Sequence, residues 1–165
     1  MKRVLTCLIF LSALGSAWGQ DVLVRATALV PILNSAAQFT PGAGLGAELG
    51  WALPDKAWHV RAAFDTSSAG GGGNTYFLTM IRPALAYDAF FGPTAFMSFE
   101  VNAGWSAATE TNIALVDNRA CAGAGTSISF FAGPHVNVRT ELNYVELFGL
   151  MHALTMSVGF DVIGS

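Results

Sequence analysis

Ala43-Gly44-Leu45-Gly46-Ala47-Glu48-Leu49-Gly50-Trp51 alternates without a break. One parity carries Ala43, Leu45, Ala47, Leu49 and Trp51; the other carries Gly44, Gly46, Glu48 and Gly50. Successive side chains of an extended strand point to opposite faces, so the stretch predicts a strand with one greasy face and one small or polar face.

The same period recurs along the chain. Trp58, Val60, Ala62 and Phe64 alternate with His59, Arg61, Ala63 and Asp65. Ala95, Met97, Phe99, Val101, Ala103 and Trp105 alternate with Thr94, Phe96, Ser98, Glu100, Asn102 and Gly104. Val136, Val138, Leu142 and Tyr144 stand against His135, Asn137, Arg139, Glu141 and Asn143. Leu154, Met156, Val158, Phe160 and Val162 stand against Thr155, Ser157, Gly159 and Asp161. Residues 21–30, 75–87 and 121–131 add three weaker strands; 75–87 is apolar on both faces except at Arg82. Eight strands result.

Segments at 53–56, 88–93 and 132–134 carry Pro or Gly and read as short turns, as does 145–150. Those at 32–42, 66–74 and 106–120 read as longer loops. Long and short connections alternate through six of the seven, as in an up-and-down meander.

Composition narrows the class. Hydrophobic residues make up 53% and charged ones 12%, which excludes a disordered chain. Lys+Arg is 8 against Asp+Glu 11, so no basic nucleic-acid surface is expected. A mean hydropathy of +0.49 is high for a soluble domain. Part of it lies in residues 1–19: Lys2 and Arg3, an apolar run over 4–14, then Gly15, Ser16, Ala17 and Gly19. This predicts a secretory signal peptide, leaving residues 20–165 as one domain. Cys121 is then the only cysteine, so no internal disulfide is expected.

The oiliest later stretch, 83–99, is broken by Asp88 and Gly92-Pro93, so it is no membrane helix. Alternating strands that close on themselves are the other way across a bilayer. A soluble, lipocalin-like periplasmic ligand carrier would also alternate. Its outward face would carry long polar residues, whereas this polar face is Gly, Ser, Asn and single charges of both signs. Such a set suits a crowded lumen.

With the strands laid out, the chain resembles the small eight-stranded outer-membrane barrels, OmpA/OmpX-like and OmpW-like. The resemblance rests on architecture rather than on a sharp motif. It implies an all-β, antiparallel, up-and-down transmembrane barrel in the outer membrane. It also implies insertion by the barrel-assembly machinery, a lipid-bilayer environment, and a structural, adhesive or porin-like role with slow passage of small or hydrophobic solutes. One departure stands out: such barrels usually finish on an aromatic residue, and this chain ends Val162-Ile163-Gly164-Ser165.

The polar parity predicts a lumen network of Glu48, His59, Arg61, Asp65, Glu100, Asn102, Asn137, Arg139, Glu141 and Asn143, with Arg25 and Arg82 as further members. Charges inside a narrow barrel must pair. That network serves either as a plug or as a polar path, and the narrow bore favours the plug. Trp51, Trp58, Trp105, Tyr76, Tyr87 and Tyr144 fall near predicted strand ends and suit aromatic girdles. Residues 106–120, with Glu110, Asn112, Asp117 and Asn118, are the expected contact surface for an outside ligand. A lipid-hydrolysing barrel is the remaining alternative, through Ser127 or Ser129 with His135 and Glu141. No cofactor, metal site or catalytic residue is expected: His59 and His152 lack clustered partners.

Overall fold

The computed structural model describes residues 20–55, 57–111 and 113–163. The signal peptide expected over residues 1–19 lies outside them. The strands are β1 (Gln20–Pro31), β2 (Phe39–Thr40), β3 (Gly42–Ala52), β4 (Trp58–Gly71), β5 (Asn74–Phe90), β6 (Ala95–Glu110), β7 (Ile113–Gly133), β8 (Val136–Leu147) and β9 (Met151–Ile163). Sequential strands pair antiparallel from β3 to β9, and β1 joins β3 on one side and β9 on the other. The eight long strands therefore close into a barrel. The two-residue β2 adds only to the end of β4.

Both described chain ends lie on one rim, here the terminal rim. There Asp55 Oδ1 accepts from Ala57 N at 3.3 Å and Trp58 N at 3.2 Å, folding the β3–β4 turn. The far rim carries a 3₁₀ turn (Leu33–Ala37) between β1 and β2, and three hairpins.

Two of those hairpins depart from expectation. Residues 66–74 and 106–120 are not long loops but continuing strands. Gly72 and Gly73 both take positive φ, 57° and 85°, and this allows a two-residue turn between β4 and β5. β6 runs on to Glu110 and β7 resumes at Ile113. Strands β4 to β7 hold 14, 17, 16 and 21 residues, against 12, 11, 12 and 13 for β1, β3, β8 and β9. The surplus projects past the far rim as a sheet. Ser, Thr, Ala, Gly and Asn tolerate either state, so composition hid these extensions; the ladder hydrogen bonds decide.

The two faces are chemically opposite. Outward positions expose Leu45, Phe64, Val101, Trp105 and Phe160, the last at 64%. Inward positions bury Arg25, Glu48, Arg61, Asp65, Arg82 and Arg139. Toward the far rim the lumen turns apolar: Leu29, Leu78, Met80, Val145, Leu147 and Met151 pack together beneath Phe39. This explains why residues 75–87 read as apolar on both faces. Its outer face carries the exposed Phe77, Ile81 and Leu85, and its inner face forms the upper filling.

Candidate functional site

Arg25 is the hub of the lower lumen. Its Nε and Nη2 donate to Asp65 at 3.0 and 2.9 Å, and its Nη1 donates to Glu48 at 3.0 Å and to Glu141 at 2.8 Å. Glycine makes the room. A Cβ at Gly46 would lie 2.1 Å from Asp65 Oδ1, and one at Gly159 would lie 2.8 Å from Arg25 Cβ. The glycines on the polar parity are thus the space into which the guanidinium folds.

Arg139 donates from Nη1 to Glu48 at 3.0 Å and from Nε to Ser127 at 3.2 Å, and its Nε lies 2.9 Å from Glu141. Arg82 Nη2 reaches Asp65 at 2.6 Å, while Nη1 reaches Asn102, which itself donates to Glu100 at 3.1 Å. Arg61 Nη2 donates to Asp88 and to Ser98 at 3.2 Å, and Arg61 also lies 3.5 Å from Glu48 and 3.6 Å from Glu100. Nearer the terminal rim, His59 Nε2 lies 3.1 Å from Asp88, whose other oxygen accepts from Ser98 at 2.5 Å.

Of the ten expected lumen residues, Glu48, His59, Arg61, Asp65, Glu100, Asn102, Arg139 and Glu141 meet in this net, which Arg25 and Arg82 complete. Asn143 lies over Gly125, whose added Cβ would fall 1.5 Å from its Oδ1. Asn137 is buried, and neither side-chain polar atom has a hydrogen-bond partner. Sequence reasoning missed Asp88 and Ser98 as members. Asp88 was assigned to a turn, although it shares the parity of Arg82; extending that strand by one residue would have found it.

The space left is small. A void beside Arg25, lined by Thr27, Asp65, Ser67, Arg82 and Glu141, has room for about 10 Å³, roughly one water. Above it stands the apolar filling.

Five of the six expected girdle residues sit on the outward face. Trp58 and Tyr87 pack at 5.1 Å near the terminal rim, with Trp51 beside them on β3. Trp105 pairs with Ala120, level with the β8–β9 turn. Tyr144 also faces outward, and its hydroxyl meets His152 Nδ1 at 2.8 Å. Tyr76 departs from expectation. It has the inward parity of Leu78 and packs edge-on against Phe39 at 5.3 Å, so it belongs to the filling at the far rim.

The alternative hydrolase set does not assemble. His135 lies in the exposed β7–β8 turn, and six residues of extended chain, about 20 Å, separate it from Glu141. Glu141 is held by Arg25, Arg139 and Ser157, and Ser127 by Arg139.

No family model matches the sequence, and no curated protein matches it. The fold does have solved counterparts. Neisserial surface protein A is similar over 88% of this chain and 97% of that chain, with a TM-score of 0.72 at 12% identity. Ail, the attachment invasion locus protein of Yersinia pestis, is similar over 87% and 97%, with a TM-score of 0.59 at 11% identity. The outer membrane enzyme PagL is similar over 86% and 98%, with a TM-score of 0.50 at 14% identity. The class is therefore the small eight-stranded barrel of the outer-membrane type. Within that class the fold is shared by an attachment invasion locus protein and by an enzyme, so the fold alone selects no activity.

Proposed function

We propose that the protein is a closed structural barrel of the outer membrane, exported through residues 1–19 and inserted by the barrel-assembly machinery, with its terminal rim in the periplasm. Its belt of exposed Leu, Val, Phe and Trp side chains suits hydrocarbon, and the opposite parity holds the charges. One observation carries the structural reading over a porin-like one. Below, four arginines cross-link the wall through carboxylates; above, Leu78, Met80, Leu147 and Met151 fill the bore. Opening a path would mean parting buried ion pairs, at several kcal/mol for each.

Contact with an outside ligand fits the projecting sheet. β7 meets β8 only from Cys121 onward, so among the described residues 113–120 has no strand neighbour on that side. Beside the glycine tip, an open groove of about 320 Å³ runs along Gln38 and Thr40.

Refolded protein in a planar bilayer tests the closed reading. The expected record is a flat baseline with no discrete steps. Reproducible openings of one size, altered by Arg25→Ala, would replace the structural role with a conducting one.

A further inference from the structure

The lumen carries more acid than base. Arg25, Arg61, Arg82 and Arg139 share Glu48, Asp65, Asp88, Glu100 and Glu141. Two further carboxylates, Asp21 and Asp161, stand at the terminal end of the bore. Among the described residues neither has an arginine within 4.0 Å; Arg139 and Arg61 attract both from farther off, and the His59 ring Nδ1 lies 3.9 Å from Asp21. Asp161 is nevertheless only 4% exposed. A buried carboxylate without a counter-charge costs several kcal/mol.

A second, independent feature lies against it. Asn137 stands directly across from Asp161 in the β8–β9 register and shares its inward face. It is 0% exposed, and both its amide oxygen and its amide nitrogen lack hydrogen-bond partners. On the next strand Ser129 is equally buried, and its hydroxyl too has no partner. Directly opposed residues of an antiparallel pair have Cβ atoms about 4.5–5.5 Å apart, close enough for one ion to bridge two side chains.

We propose that Asp161 and Asn137, with Asp21 as the outer carboxylate, form a binding site for a hard divalent cation, Ca²⁺ in the first place, at the terminal mouth of the lumen. The donors are all oxygens, as Ca²⁺ prefers, and its irregular shell of six to eight ligands accepts a few protein oxygens completed by water. No three of His, Cys, Asp and Glu converge among the described residues, so the carboxylates do not make the site alone. The amide is the third donor. The ion adds positive charge where no arginine stands within 4.0 Å, and it ties β1 to β8 and β9 beside the β1–β9 closure. No metal signal is visible in the sequence because residues 21, 137 and 161 lie far apart along the chain and meet only when β1 closes on β9.

The test uses the full barrel refolded in phosphatidylcholine vesicles, a neutral lipid, stripped with EDTA and titrated with CaCl₂ by calorimetry. The expected result is one ion per chain and a higher temperature for loss of the compact electrophoretic form. Asp161→Asn and Asn137→Ala should each weaken binding at least about tenfold. Asp117→Asn, in the exposed far hairpin, should not. Asp161→Asn removes a repulsive charge without changing shape, so it is expected to fold; Asp21→Asn gives a second folded variant with a smaller loss. Absence of stoichiometric binding by the unaltered chain would overturn the site. Binding that Asp161→Asn and Asn137→Ala leave unchanged would overturn it equally, placing the ion on surface carboxylates.

Discussion

Arg25 shows how much one residue decides in a bore this narrow. Its guanidinium spans three carboxylates that come from β3, β4 and β8, and it reaches them because Gly46 and Gly159 have no side chains in the way. Replacing it by Met keeps the length but leaves Arg61, Arg82 and Arg139 alone to offset the buried charges of Glu48, Asp65 and Glu141. We expect Arg25→Met to cost about 3–5 kcal/mol in urea unfolding from vesicles, as for other broken buried pairs. A loss below about 1 kcal/mol would mean that water reaches the network and screens it. Parity made Glu48 and Arg139 legible as inward residues. It could not say which charge meets which, since partners as distant as Arg25 and Glu141 meet only once the barrel has closed.

At the level of strands, faces were legible and lengths were not. Ala43 to Trp51 and Thr94 to Trp105 alternate because lipid and lumen make opposite demands on neighbouring residues. Toward the far rim burial still alternates through Ser67, Ala69, Ser106 and Ala108, but the side chains there are small on both faces, so 66–74 and 106–120 lose their pattern while keeping their ladder. For the same reason Tyr76 read as a girdle residue: aromatic chemistry suits a rim and a filling alike, and only the inward parity of its longer strand separates them. A hairpin that projects beyond the barrel should be dispensable to it. Replacing residues 109–116 by Asn-Gly keeps the Ala108–Asp117 pairing and the filling below. The shortened chain is expected to refold to the same heat-modifiable electrophoretic form, within about 0.5 kcal/mol of the parent. Failure to refold would make the projecting sheet part of the barrel's stability. If the hairpin contacts an outside ligand, the same variant loses that contact while staying folded.

For the whole molecule the question is which face meets oil. A soluble carrier and a membrane barrel can share strand order, closure and period two, and they differ only in orientation. Here Val101 is 60% exposed on the outward face that also carries Phe99, Phe130 and Phe160, while its neighbour Asn102 is buried against Arg82 and Glu100. Water around such a belt would drive aggregation, whereas acyl chains would accept it. Lysine at position 101 separates the two cases by sign. In a bilayer the ammonium sits on the lipid face, and the change should cost about 2–4 kcal/mol if the site lies near the midplane, falling toward zero at the interface. In a water-facing strand the same change should be neutral within about 0.5 kcal/mol, or should improve solubility. Urea titrations of refolded Val101→Lys in vesicles, beside Leu45→Lys and Phe160→Lys, would trace the cost along the wall. Penalties that peak at one depth and decline toward both rims define a membrane belt. Three near-zero values would leave a closed barrel standing in water, with its hydrophobic face awaiting a different explanation.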